Sequence, residues 1–295
     1  MITVIFGELI LVKLSIIIVS YNSKLLLGQC LASIKIATTA IDHEIIIIDN
    51  NSTDGSKEYL PEKFPGSKFI FNKDNAGFAK ACNQGFQHSS GKYILFLNPD
   101  TILPGNCLVD CLSFLDTHPE AAAAGVRMIN GDGKFLKESK RGVPTLSASF
   151  YKLFGLSFLF PGSKKFSSYY QSHLPENENN QVEVLSGAFM MIKREVFGKV
   201  NGFDERFFMY GEDIDLSLRI TQAGYKNYYL GTVTVTHLKG GSTKRNRKYV
   251  KDFYRAMSLF VDKHYGKSSL FFRLFVKAGI FFRKQLSIVS LLFHR

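Results

Sequence analysis

A chain of 295 residues can bury one large α/β core with an appendage, or two modest domains. With 45% hydrophobic and 21% charged residues, its composition is that of a globular protein and excludes wholesale disorder. The net charge of +12 asks for an anionic partner, and its placement narrows the choice: Lys239, Lys244, Arg245, Arg247, Lys248, Lys251 and Arg255 crowd one short stretch, so a basic tail on a nearly balanced body points to a surface anchor rather than a nucleic-acid groove.

The first 13 residues, MITVIFGELILVK, are apolar but carry no basic leader and no small-residue cleavage site, and they are too short to span a bilayer. They read as an N-terminal extension, either an extra edge strand or the product of an early start codon. Leu14–Ser20 (LSIIIVS) and Glu44–Asp49 (EIIIID) are continuous β-branched runs, as in strands buried on both faces of a parallel sheet. Between them Ser23 to about Ile41 reads as a helix with Leu25, Leu26, Leu31 and Ile34 as its apolar stripe. A third strand fits Lys68–Phe71, a helix Gly77–His88, and a fourth strand Lys92–Leu97. This alternation predicts an α/β fold with a doubly wound, nucleotide-binding sheet.

Residues 130–184, with Pro144, Pro161, Pro175 and the run FYKLFGLSFLF, form a long excursion poor in regular sheet, the kind of segment that serves as a binding loop. A strand is expected over Val182–Ile192, then a helix opened by Glu212 and Asp213; past His237 the chain turns basic and helical. Cys30, Cys82, Cys107 and Cys111 show no metal or redox spacing and read as buried free thiols, in keeping with a reducing compartment.

Polar residues cluster just past the C-terminal ends of the strands, the edge where open α/β sheets bind ligands. After the first strand stand Ser20, Tyr21 and Asn22; after the second, Asp49 and Asn50; after the fourth, Asn98 and Asp100. Asn98-Pro99-Asp100 is strong turn chemistry, and equally a place for a carboxylate to hold Mg²⁺ or Mn²⁺ against a diphosphate. Asn75, Gly77 and Lys80 open the next helix, where free backbone N–H groups and a lysine suit phosphate, or where a routine helix simply starts. Glu212, Asp213 and Asp215 complement a helix dipole yet repel one another, so a cleft or a basic partner must relieve them. His237 ends an alternating Thr/Val strand and reads as a core residue or, with Asp100 across the site, as a second metal ligand.

Taken in order, SIIIVSYNS, IIIIDNNSTDGS, NAGFAKACNQG, FLNPDT, GAFMMIKREVF, GFDERFFMYGEDIDLSLR and HLKGGST resemble family 2 of the glycosyltransferases, over residues 14–243. With RGVPT at Arg141–Thr145, the series looks most like the bacterial rhamnosyltransferase branch, which builds surface polysaccharides on lipid-linked intermediates. The resemblance implies a GT-A fold, with Tyr21, Asn22 and Asp49 on the base and ribose of a nucleotide-diphosphate sugar and Asn75 and Gly77 shaping that pocket. Asp100 and His237 would bind the divalent cation, and Asn98 stands where many relatives carry the first Asp of a DxD motif. Asp213, or failing that Glu212, would be the base of an inverting transfer to a saccharide or polyprenyl-diphosphate-linked acceptor. The donor is open among dTDP-rhamnose, UDP-sugars and GDP-sugars.

Residues 267–295 contain no uncharged run long enough to cross a bilayer. On a helical wheel Arg273, Lys277, Lys284 and Arg295 fall near one line with most of the Phe and Leu elsewhere, which fits a helix lying on an anionic membrane with its cations toward lipid phosphates, or one packed on the catalytic domain. The expected organisation is therefore a catalytic domain over 14–243 and a membrane-associating segment over 244–295, at the cytoplasmic face of a bacterial inner membrane or free in the cytoplasm. A sugar nucleotidyltransferase would carry a Gly-rich basic loop after the first strand, where this chain has SYNSKLL. A basic nucleic-acid-binding module would need cations lining a groove with interleaved aromatics, whereas the excess lies beyond Lys239.

Overall fold

The computed structural model describes residues 12–144, 168–238, 246–266 and 269–293, with positions 159 and 163. The readings of residues 1–11, of most of the 145–167 stretch, of Lys239 to Arg245 and of Arg295 fall outside them. The first hundred residues alternate as β1 (Leu14–Ser20), α1 (Lys24–Ala37), β2 (His43–Asp49), α2 (Ser56–Lys63), β3 (Lys68–Phe71), α3 (Phe78–Gln87) and β4 (Tyr93–Leu97). There follow β5 (Thr101–Ile102), α4 (Cys107–Thr117), β6 (Ala121–Ile129), β7 (Lys140–Arg141), β8 (Asn180–Val182), β9 (Val184–Leu185) and β10 (Phe189–Lys193). The chain continues with α5 (Arg194–Lys199), α6 (Glu212–Gln222), β11 (Lys226–His237), α7 (Arg247–His264) and α8 (Leu270–Phe293).

The main sheet runs β3-β2-β1-β4-β10-β6-β11-β5, with β8 added on β11. Strands β1 to β4 pair in parallel, whereas β10 is antiparallel to both β4 and β6. All seven residues of β1 are buried, as a two-sided strand requires. Ile16 and Ile18 enter one core with α1 and α4, while Ile17 and Val19 enter the other with α3, α5 and α6, following the two-residue period of a strand.

Two expectations shift. The buried face of α1 is Leu27, Cys30, Leu31 and Ile34, whereas Leu25 is 79% exposed, because the helix starts at Lys24 and its first turn clears the sheet. The strand expected over Val182–Ile192 is broken: Val184–Leu185 leaves the main sheet to pair with β7, and Ser186–Gly187 turns the chain back toward the sheet edge before β10 begins. All four cysteines are free and buried, and burial pushes each thiol up from its ordinary value.

At the C-terminal side α7 closes over α6. Phe207, Ala256 and Phe260 form a small third core, and Asp215 on α6, fully buried, receives Lys263 Nζ at 2.6 Å and His264 Nε2 at 2.7 Å from α7 and Arg219 Nε at 2.8 Å from its own helix. Burial opposes the charge on Asp215, but these donors outweigh it and hold its carboxyl below the usual range. α8 then folds back on α7, with Lys277 Nζ at 2.7 Å and Arg273 Nη2 at 3.3 Å from Asp262 and Tyr254 Oη at 2.8 Å from Ser287 Oγ. The cationic line that the helical wheel picked out therefore includes two residues turned onto α7 by Asp262. No helix among the described residues is long and apolar enough to cross a membrane.

Candidate active site

Register builds the first half of the site. Ser20 of β1 pairs with Asp49 of β2, so both strand ends, and the loops after them, lie side by side. Those loops are knitted together: Asn22 N–H donates to Ser52 Oγ at 2.8 Å, and Asn22 Oδ1 accepts from Thr53 N–H at 2.7 Å. Asp49, buried, accepts from Ser52 N–H at 2.7 Å through Oδ1, and Ser20 shares a 2.8 Å hydroxyl contact with Ser23. Tyr21 stands at the mouth, 47% exposed.

The loop after β3 joins this edge through Asn50, whose side-chain N–H donates to Gly77 O at 3.1 Å and Asn75 Oδ1 at 3.4 Å. Gly77 has φ +84°, and a Cβ there would strike the backbone carbonyl of Phe208, so only glycine fits. The next residue, Phe78, donates its N–H to that carbonyl at 2.7 Å. The contact ties the loops after β1, β2 and β3 to the segment that leads into α6. Lys80 is exposed in the first turn of α3.

The second half depends on β5, two residues long, whose Thr101 pairs with His237 at the end of β11. The pairing continues as Leu238 N–H donates to Asp100 O at 2.8 Å, which sets the two side chains face to face: His237 Nε2 lies 3.1 Å from Asp100 Oδ1, with both residues buried. A hard carboxylate oxygen and an imidazole nitrogen converging in this way fit a divalent cation. His237 Nδ1 is buried without a hydrogen-bond partner among the described residues. Among the described residues no group of three or more His, Cys, Asp or Glu is placed to hold a metal ion.

The acidic helix start is anchored between these halves. Gly211, at φ +81°, caps α6 and delivers Glu212 and Asp213 at its first turn. Asp213 Oδ2 accepts from Arg141 Nη2 at 2.5 Å and from Gly187 N–H at 3.1 Å, while Oδ1 accepts from Ile214 N–H at 2.8 Å. Ala188, next to Gly187, accepts through its carbonyl from Asn98 N–H at 3.0 Å. Asp213 and Asn98 therefore flank one short backbone segment, and the carboxylate and the Asp100–His237 pair share an edge. Glu212 behaves differently: burial first, then the negative charge of Asp213, push its carboxyl up to about 8, and its Oε2 has no hydrogen-bond partner among the described residues. Its charge is felt by Cys82 of α3.

The repulsion foreseen among the three carboxylates is relieved by Arg141 for Asp213, by the Arg219, Lys263 and His264 cluster for Asp215, and by proton retention for Glu212. Sequence reading missed Arg141 and Gly187 as partners of Asp213. Arg141 lies 72 residues upstream of Asp213, and its place in the RGVPT segment gave no physical signal for the pairing.

The mixed α/β sheet with helices on both faces is that of the GT-A glycosyltransferases. The chain belongs to glycosyl transferase family 2, which it matches over residues 15–200; residues 173–247 also match the N-terminal domain of galactosyltransferase. It is 26% identical over 290 residues, 94% of this chain and 93% of the relative, to an N-acetylglucosaminyl-diphospho-decaprenol L-rhamnosyltransferase of Mycobacterium tuberculosis. It is 27% identical over 206 residues, 66% of this chain and 73% of the relative, to the rhamnosyltransferase WbbL of Escherichia coli. Among solved structures its fold is similar to the mannosyltransferase PcManGT of Pyrobaculum calidifontis in complex with GDP-Man and Mn²⁺, with a TM-score of 0.57 at 16% identity, covering 96% of this chain and 74% of the other.

Proposed function

We propose that the protein transfers L-rhamnose from dTDP-rhamnose to the saccharide of a lipid-linked acceptor, with inversion, in bacterial surface-polysaccharide synthesis. The full-length similarity to a rhamnosyltransferase whose name specifies a diphospho-decaprenol acceptor supports this reading. The observation that carries the mechanism is the anchoring of Asp213 on Arg141 and Gly187, on the same edge as Asp100 and His237.

The loops bearing Tyr21, Asn22, Asp49, Asn75 and Gly77 hold the base and ribose. Asp100 and His237 hold Mg²⁺ or Mn²⁺, which when bound neutralises the donor diphosphate and makes it a better leaving group. Asp213 is the base. Its Oδ2 is committed to Arg141 and Gly187, so Oδ1 is the oxygen that takes the acceptor proton. As that proton moves, the acceptor oxygen bonds to the anomeric carbon from the face opposite the diphosphate. The bond between that carbon and the diphosphate oxygen breaks with its electron pair on the nucleoside diphosphate. Glu212 is less suited to the role, because it is buried against the α3 side and keeps its own proton near neutral pH.

The acceptor is met at an anionic membrane surface, which the C-terminal segment engages peripherally on the cytoplasmic side. A panel of dTDP-, UDP- and GDP-sugars, assayed for binding and turnover with and without Mn²⁺, tests the whole reading. Turnover is expected with dTDP-rhamnose, with loss on chelation; turnover confined to another donor would move the specificity, and metal-independent turnover would remove the cation from the mechanism.

A further inference from the structure

α8 is fixed in rotation by what it packs on. Arg273 and Lys277 bind Asp262 of α7, and Ser287 meets Tyr254 a further ten residues along the helix. α7 is itself fixed, because Val250, Ala256, Phe260 and Val261 are buried and Lys263 and His264 grip Asp215. The side of α8 that faces away is therefore defined, and it is apolar but for Gln285. Phe271 is 81% exposed, Phe275 71%, Phe282 65% and Leu274 58%, and Leu286 and Val289 extend the same stripe. At 3.6 residues per turn these six side chains fall within about 120° of arc and run for about 27 Å. Monomeric proteins rarely leave so large an apolar patch in water.

The charge distribution says what covers it. Residues 239–295 hold 14 of the 37 basic residues and two of the 25 acidic ones, so the whole excess of +12 sits there while the first 238 residues balance. α8 has no acidic residue at all, and Arg247, Lys248, Lys251 and Arg255 are exposed on α7. A second copy of the chain docking on this face would bring one strongly cationic segment against another. An anionic lipid surface instead offers hydrocarbon for the stripe and phosphates for the cations around it.

We propose that the Phe271–Val289 face of α8 is a membrane-insertion surface that seats in the headgroup boundary of an anionic bilayer. This rests on the membrane partner named above, and it reassigns two of the cations that the helical wheel gave to lipid phosphates: Arg273 and Lys277 are structural cations of the hairpin, and the Phe and Leu side chains carry the contact. Because α7 is bound to α6 through Asp215, the inserted face and the acidic helix start move as one body.

The full-length protein is sedimented with phosphatidylcholine vesicles, with and without phosphatidylglycerol. Wild type is expected to partition onto the phosphatidylglycerol vesicles. Phe275→Glu/Phe282→Glu is expected to bind them at least about tenfold more weakly, since each exposed Phe contributes that much on leaving water. Its nucleotide binding and its mass by light scattering should stay unchanged. Arg273→Gln/Lys277→Gln should keep more partition than the Phe pair loses. Wild-type partition by the Phe variant, or a loss confined to the Arg/Lys variant, would overturn the assignment. So would a wild-type dimer that the Phe variant dissociates, because a second copy would then be the occupant. No donor or acceptor enters the sedimentation, so a failed transfer reaction would leave this result standing.

Discussion

At Asp213 the two carboxylate oxygens have different tasks, and variants can separate them. Asp213→Asn keeps most of the shape but removes the proton acceptor, so kcat is expected to fall by on the order of 10²–10⁴ while donor binding, measured by calorimetry, stays near wild type. Arg141→Ala leaves the carboxylate but takes away one of the two donors on Oδ2, so kcat should fall by about tenfold or more with little change in KM for the donor, and Arg141→Lys should recover part of it. Glu212 gives a prediction in pH rather than rate. Its folded-state carboxyl is raised to about 8, so between its ordinary value of 4.5 and about 8 the native chain holds a proton that the unfolded chain has lost. Stability contributed here declines as pH rises through that window. Glu212→Gln removes the penalty, so its unfolding free energy relative to wild type, read from denaturant titrations, should climb from pH 5 to pH 8, by on the order of a few kcal/mol at most. A constant difference across that range would show that Glu212 ionises normally.

Among the elements, those with strong local signals were legible. β1 has the expected bounds, because an unbroken β-branched run leaves no other home than the middle of a sheet, and the short apolar run of β3 has them too, at the sheet's edge. The gathering of polar residues after β1, β2 and β4 on one edge of the sheet was also legible, since they directly follow the ends of neighbouring parallel strands. Long-range pairings were not. β5 has two residues, too short for any period to show, yet its pairing with β11 places Asp100 against His237. The break in the expected Val182–Ile192 strand arises from pairing with β7, some 45 residues earlier in the chain. The α6–α7 tie through Asp215, Lys263 and His264 is equally non-local, and it makes α7 structurally continuous with the catalytic fold. Asp215→Asn removes the counter-charge of the half-buried Arg219 and leaves the half-buried Lys263 with Asp204 alone. The variant is expected to lose roughly 3–5 kcal/mol, read as a lower denaturant midpoint. A midpoint within error of wild type would show that the hairpin holds to α6 by its apolar contacts alone.

For the molecule as a whole, the separation of charge between body and tail decides how the reaction depends on its surroundings. The first 238 residues carry no net charge, while residues 267–295 contain six cations and no anion. Removing 267–295 strips away α8 but leaves Asp215 with its partners on α7. The truncated protein should therefore bind the nucleotide sugar as wild type does and transfer to a soluble saccharide acceptor at an undiminished rate. With the acceptor embedded in anionic vesicles the outcome should differ, because the intact protein holds its site at the surface where every acceptor lies, and the truncated one must find that surface by free diffusion. Confining both partners to one surface raises effective concentration by on the order of 10² or more, and the truncated chain forfeits that factor. The measurement is the ratio of kcat/KM on vesicle-borne and soluble acceptors for the two proteins. If truncation lowers both values equally, α8 is supporting the fold of the site; if it lowers only the vesicle value, and high salt reduces the wild-type advantage in the same way, the hairpin is what brings the base of α6 to the membrane-bound alcohol.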